Sequence, residues 1–114
     1  NHRDFYLCHF LLRRDSPGLT EPGGRLDLYL IDLHRVQLRA RTPTRWRVKD
    51  VAGLYFSALD AGLTRHDCYR FVRLYGGRPL RAELRRRFWR RVTEQAIFLY
   101  RKAHHRLPRL PVSP

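Results

Sequence analysis

At 114 residues the chain has room for one domain with one modest core, and at 43% hydrophobic and 12% aromatic it is too rich in core formers to be a disordered tail. Twenty-four basic side chains, 22 of them Arg, against ten acidic ones leave +14, a charge that repels itself unless a phosphate-bearing partner such as nucleic acid, nucleotide or anionic lipid lies nearby. No apolar run approaches the ~18–20 residues of a membrane span, and no apolar signal segment opens the chain. Cys8 and Cys68, far apart and outside any Cys-x-x-Cys pair, exclude a disulfide framework and a Cys-based zinc site and suit a reducing compartment.

In chain order, Tyr6 to Leu12 reads as a short buried strand, with Cys8 as an apolar filler. Asp15-Ser16-Pro17-Gly18 and Glu21-Pro22-Gly23-Gly24 are turn chemistry twice over. Leu26, Leu28 and Leu30 alternate with Asp27, Tyr29 and Ile31, the period of a strand, so residues 7–31 predict a hairpin with Asp32 at its exit. The hairpin cannot cover itself and is expected to pack on helices. Arg39 to Arg47 is a basic connector, irregular before Trp46.

Three helices follow. Val48, Val51, Ala52, Tyr55 and Leu59 line one stripe of a helix over about 46–61, apolar on so many sides that it belongs at the domain centre. Thr64 with Asp67 forms a capping box for a second helix, 64–75, closed by Gly76-Gly77. Pro79 opens a third, 80–105, whose apolar face is Leu84, Phe88, Val92, Ala96, Leu99 and Ala103 and whose Arg85, Arg86, Arg87, Arg90 and Arg91 crowd the rest. The Pro-rich residues 107–114 are expected to be loose. His104-His105 cannot chelate one ion, since adjacent helical residues point ~100° apart. The fold class is α+β, mostly α.

The run His2-Arg3-Asp4-Phe5-Tyr6-Leu7-Cys8-His9 has the shape of a kinase catalytic loop, with Phe5 at the Leu position and His9 at the Asn position. Such a loop needs a carboxylate to take the proton of the attacking hydroxyl and a ligand five residues on that reaches the metal. Asp32, at the hairpin exit, is placed to supply a second carboxylate, a hard oxygen ligand of the kind Mg2+ prefers. On the motif alone, Asp4 as a solvated acid and Asp32 as a turn former stay open.

Asn1 to Leu12, Leu30 to Arg39 and Arg45 to Thr64 each resemble, in the same order, blocks of the bacterial lipopolysaccharide core heptose(I) kinases, and the similarity runs to about Leu80. The resemblance implies the C-terminal lobe of a protein-kinase-like fold over 1–106, with a catalytic loop at 1–9 and a metal-binding turn at 32–35. It implies transfer of the ATP γ-phosphoryl group, with Mg2+, to the inner-core heptose of lipopolysaccharide, at the cytoplasmic face of the inner membrane. Asp4 becomes the catalytic base, flanked by His2 and Arg3. Asp32 becomes the principal metal ligand, with His9 beside it, and Arg3 and Arg35 steer phosphates. A His at the place of His9 belongs to the family's pattern.

Asp50 is expected to accept backbone N–H bonds from the loop around His2; the plainer alternative is an acid in a first helical turn, worth ~0.3–1 kcal/mol. The chain starts inside the catalytic loop and lacks a Gly-rich loop, a strand Lys and a helix Glu, so an N-terminal ATP-binding lobe is expected to be missing and the fragment alone to be inactive. Two other readings rest on charge: a basic nucleic-acid-binding helix at 64–76, and a non-catalytic module on an anionic membrane surface using Phe88, Trp89 and Phe98.

Overall fold

A computed structural model describes residues 1–76 and 82–112. Strands β1 (Phe10–Leu12) and β2 (Leu28–Leu30) pair antiparallel, with Phe10 opposite Leu30, Leu11 opposite Tyr29 and Leu12 opposite Leu28. Ile31 N donating to the His9 carbonyl and Arg13 N to the Asp27 carbonyl, both at 2.9 Å, lengthen the ladder by one rung at each end. The long loop is pinned by Ser16, whose buried hydroxyl donates to the Arg13 carbonyl at 2.7 Å and accepts from Asp27 N at 3.1 Å. Gly18 and Gly24 meet backbone to backbone, where a Cβ on Gly18 would lie 2.5 Å from the Gly24 oxygen.

Two expectations about this hairpin change. The first strand starts only at Phe10, because Leu7–His9 form a turn of 3-10 helix, and Leu11 and Leu12 are exposed. Cys8 is likewise exposed rather than buried. The physical cause is the loop before it: the Leu7 amide is bound by the Ser57 hydroxyl at 2.8 Å and the His9 ring by the Asp4 carbonyl, which curls the chain off the strand path. The strands also leave Leu28, Tyr29 and Leu30 exposed instead of laying them on helices. It is the turn Leu7–His9 that touches the helical body.

Helix α1 (Thr44–Ala58) starts two residues before the expected Trp46, since the Pro43 carbonyl accepts from Trp46 N and Arg47 N. It ends three residues early; Gly62, at φ +79°, helps the chain turn back. Helix α2 (Arg65–Tyr75) has the capping box the sequence predicts: Thr64 Oγ1 accepts from Asp67 N at 3.2 Å and Asp67 Oδ2 accepts from Thr64 N at 3.0 Å. Helix α3 is described over Ala82–His104; the proposed stop at Gly77 and start at Pro79 lie outside the described residues.

The core joins Val48, Val51 and Ala52 of α1 to Phe88, Val92 and Ala96 of α3, with Phe71, Tyr75 and Trp89 packed against its edge. On α3 the buried row continues to Tyr100, while Leu84 and Ala103 are exposed and Leu99 half-buried. A strict i, i+4 row follows the ridge that one helix offers another, so Tyr100 takes the place expected of Leu99. Beyond His104 no regular element forms among the described residues, and Pro108 and Leu110 to Val112 are half-buried.

Candidate active site

The loop before the hairpin is held from below by α1. Asp50 Oδ2 accepts from His2 N at 2.7 Å and Oδ1 from Arg3 N at 2.9 Å, across 48 and 47 residues of chain. Because α1 starts at Thr44, Asp50 lies in its second turn, past the terminal partial charge that an acid in the first turn would exploit. Its carboxylate is therefore engaged with the loop. The two bonds hold Arg3 at φ +75°, a left-handed conformation that costs a non-glycine residue ~1–2 kcal/mol.

His2 is buried and ties the loop to the hairpin exit. Its Nδ1 accepts from Asp4 N at 3.2 Å, so the ring proton sits on Nε2, which donates to the Ile31 carbonyl at 3.1 Å. Ile31 immediately precedes Asp32, itself at φ +61°. One buried imidazole thus sets the spacing between the two stretches that carry Asp4 and Asp32.

A second imidazole joins the two acids more directly. His9 Nδ1 donates to the Asp4 carbonyl at 2.6 Å, and His9 Nε2 faces Asp32 Oδ2 at 3.3 Å. With the Nδ1 proton committed, the Nε2 lone pair and the carboxylate oxygen are two acceptors face to face, reconciled by a cation: a proton on the ring or a metal ion. The other Asp32 oxygen is in contact with His34 Nδ1, a partner that the motif did not suggest. Asp4 Oδ1 accepts from Arg35 Nη1 at 3.0 Å, while Asp4 Oδ2 is buried with no hydrogen-bond partner among the described residues.

The expected residues therefore gather in one place: Arg35 is bound to Asp4, and Arg3 lies over the Trp46 ring. Sequence reasoning passed over Gly53 and Ser57. Gly53 is buried on α1 where a Cβ would meet Tyr6 Cε1 at 3.1 Å and the Phe5 carbonyl at 3.3 Å, so the loop rests on bare backbone. A glycine inside an otherwise good helix, at a cost of ~1 kcal/mol, was the readable signal. Among the described residues no group of three or more His, Cys, Asp or Glu side chains could hold a metal ion, and no helix is long and apolar enough to cross a membrane.

Residues 1–75 match the lipopolysaccharide kinase (Kdo/WaaP) family. The chain belongs to that family. Within it, the chain is similar to the lipopolysaccharide core heptose(I) kinase WaaP of Pseudomonas aeruginosa PAO1, at 59% identity over 85 residues, 75% of this chain and 31% of the relative. It is similar at 52% identity over 81 residues to the heptose(I) kinase WaaP of Escherichia coli K12, covering 71% of this chain and 29% of that one. A solved structure, WaaP in complex with acyl carrier protein, superposes with a TM-score of 0.70 at 52% identity, over 88% of this chain and 41% of that chain. The α-rich fold with its two-stranded sheet is thus part of the WaaP fold, and the chain spans about 30% of the length of the curated relatives it matches.

Proposed function

We propose that this chain carries the catalytic loop and metal-binding turn of an ATP-dependent kinase that phosphorylates the inner-core heptose of lipopolysaccharide. The observation that carries the reading is the His9 ring, bonded to the Asp4 carbonyl and facing the Asp32 carboxylate, beside a buried Asp4 oxygen with no partner among the described residues. Asp4 is the general base: Arg35 fixes Oδ1, and Oδ2 is left to accept the proton of the sugar hydroxyl as it attacks phosphorus.

The donor set suits Mg2+ brought in with its nucleotide. Mg2+ is bound through one or two carboxylates, with phosphate oxygens and water completing the shell, so fewer than three protein ligands is the expected number. The Asp32 carboxylate, with His9 Nε2 3.3 Å from its Oδ2, would hold the ion. Asp32 is the principal ligand, and His9, a poorer donor for a hard ion, chiefly orients that carboxylate. When bound, Mg2+–ATP supplies the phosphoryl group and the charge neutralisation that its transfer requires.

The acceptor is lipid-linked, so we place the activity at the cytoplasmic face of the inner membrane, with the exposed Arg86, Arg87, Arg90 and Arg91 of α3 toward anionic headgroups. The acyl carrier protein of the solved WaaP complex joins the candidate partners. The nucleic-acid alternative gains no support from the relatives.

A chimera tests the reading. The matching 85-residue stretch of the P. aeruginosa kinase is replaced by that of this chain, and transfer of labelled γ-phosphate to lipopolysaccharide core is measured. The chimera should turn over, and Asp4→Asn should cost it roughly 10²–10⁴-fold, the range of a general base. A folded chimera whose Asp4→Asn variant retains full turnover would overturn the assignment.

A further inference from the structure

Trp46, in the first turn of α1, collects four cations. The guanidinium carbons of Arg45, Arg3 and Arg39 lie 5.3, 5.5 and 6.0 Å from its ring centroid, and Lys49 Nζ lies 5.4 Å away. Cation–π attraction accounts for one cation on an indole face, but it does not account for four like charges sharing one ring. None of the four is ion-paired with a carboxylate among the described residues; Arg39 binds only the side-chain oxygens of Asn1 and Gln37.

The helix makes the arrangement harder to explain. Its N-terminal end carries partial positive charge and favours anions, yet α1 has no acid in its first turn and no side-chain cap at Pro43. Three nitrogen donors in the same cluster, Asn1 Nδ2, Arg3 Nε and Trp46 Nε1, are buried with no acceptor among the described residues. Buried donors are almost always paired, and three of them orphaned together amid four unpaired cations call for one kind of partner, an acceptor with negative charge.

We infer that Asn1, Arg3, Arg39, Arg45, Trp46 and Lys49 form a subsite for a phosphate-type oxyanion carried on a bound molecule. Arg3 directly precedes Asp4, so the subsite shares a loop with the candidate base. Arg3 and Lys49 also line a cleft of about 40 Å³ with Phe5, Tyr6 and Leu99, room for one small group. Binding here needs neither nucleotide nor transfer, so the subsite stands or falls apart from the kinase reading.

The test is a titration of the full 114-residue chain with inorganic phosphate at constant ionic strength, followed by calorimetry and by the two indole N–H resonances in the NMR spectrum. The Trp46 resonance should move saturably while that of Trp89 stays. Arg45→Gln with Lys49→Gln should weaken binding at least tenfold, and Arg101→Gln with Lys102→Gln, an exposed pair at the far end of α3, should leave it unchanged; circular dichroism checks that each variant is folded. Absence of saturation, or an equal loss from the two charge-matched pairs, would reduce the effect to the general attraction of a +14 surface and overturn the subsite.

Discussion

Asp50→Asn isolates the bond pair on which the candidate catalytic loop rests. The carboxylate accepts two backbone N–H bonds, at 2.7 and 2.9 Å, and each charge-assisted bond is worth ~1.5–3 kcal/mol. Asparagine keeps one acceptor oxygen but turns an NH2 toward the other amide, so one bond is lost and a donor faces a donor. The left-handed Arg3, held by these bonds, then gains ~1–2 kcal/mol by relaxing. The loop should open locally while the α1–α3 core, built on Val48, Val51, Val92 and Ala96, stays intact. Native-state hydrogen exchange reads this directly. A loss of ~1.5–3 kcal/mol corresponds to roughly ten- to hundredfold faster exchange at the His2 and Arg3 amides, with core amides unchanged. In the chimera the same substitution should lower turnover. Unchanged protection at residues 2 and 3 would refute the anchoring argument, and an equal loss across the core would make Asp50 a determinant of the whole fold instead.

Gly53→Ala should leave the melting temperature nearly unchanged, since ~1 kcal/mol of helix propensity offsets a tight contact, yet shift the Phe5 and Tyr6 amide resonances and cut chimera turnover roughly tenfold; shifts confined to α3 would contradict the loop contact. The Thr64 hydroxyl, and after it the Thr64 backbone N–H, hold the Asp67 carboxyl below its ordinary 3.8. Because its folded value is the lower one, its contribution to α2 is complete above 3.8 and fades as pH falls through that folded value; a carbon-detected titration should show this, and Thr64→Ala should raise the midpoint. Burial, and behind it the charge of Cys68, pushes the Tyr55 hydroxyl from 10.0 up to about 12. The stability linked to it is therefore complete below pH 10 and is lost as pH climbs through about 12; an alkaline absorbance titration of Tyr55→Phe should lack that late phenolate.

What the sequence determined by itself is what is local. The capping box of Thr64 and Asp67 spans three residues, and its two reciprocal bonds form wherever those residue types stand at that spacing before a helix. The α1 stripe Val48, Val51, Ala52 and the α3 row Phe88, Val92, Ala96 were legible for the same reason, because a 3.6-residue period needs only the neighbouring turns. The spacing of His2, Arg3, Asp4 and His9 has the shape of a catalytic loop, and the resemblance to the heptose kinases carried that reading further. Tertiary structure decided everything that crosses the chain: Asp50 reaching His2 over 48 residues, Arg35 closing on Asp4 over 31, Ser57 binding Leu7 over 50. The strand pattern misled where alternation promised a covered face, since period two says which side chains share a side and nothing about whether another element lies against it. Likewise, the basic residues show their charge in the sequence, but three arginines and a lysine around one tryptophan is a meeting that only the folded backbone arranges.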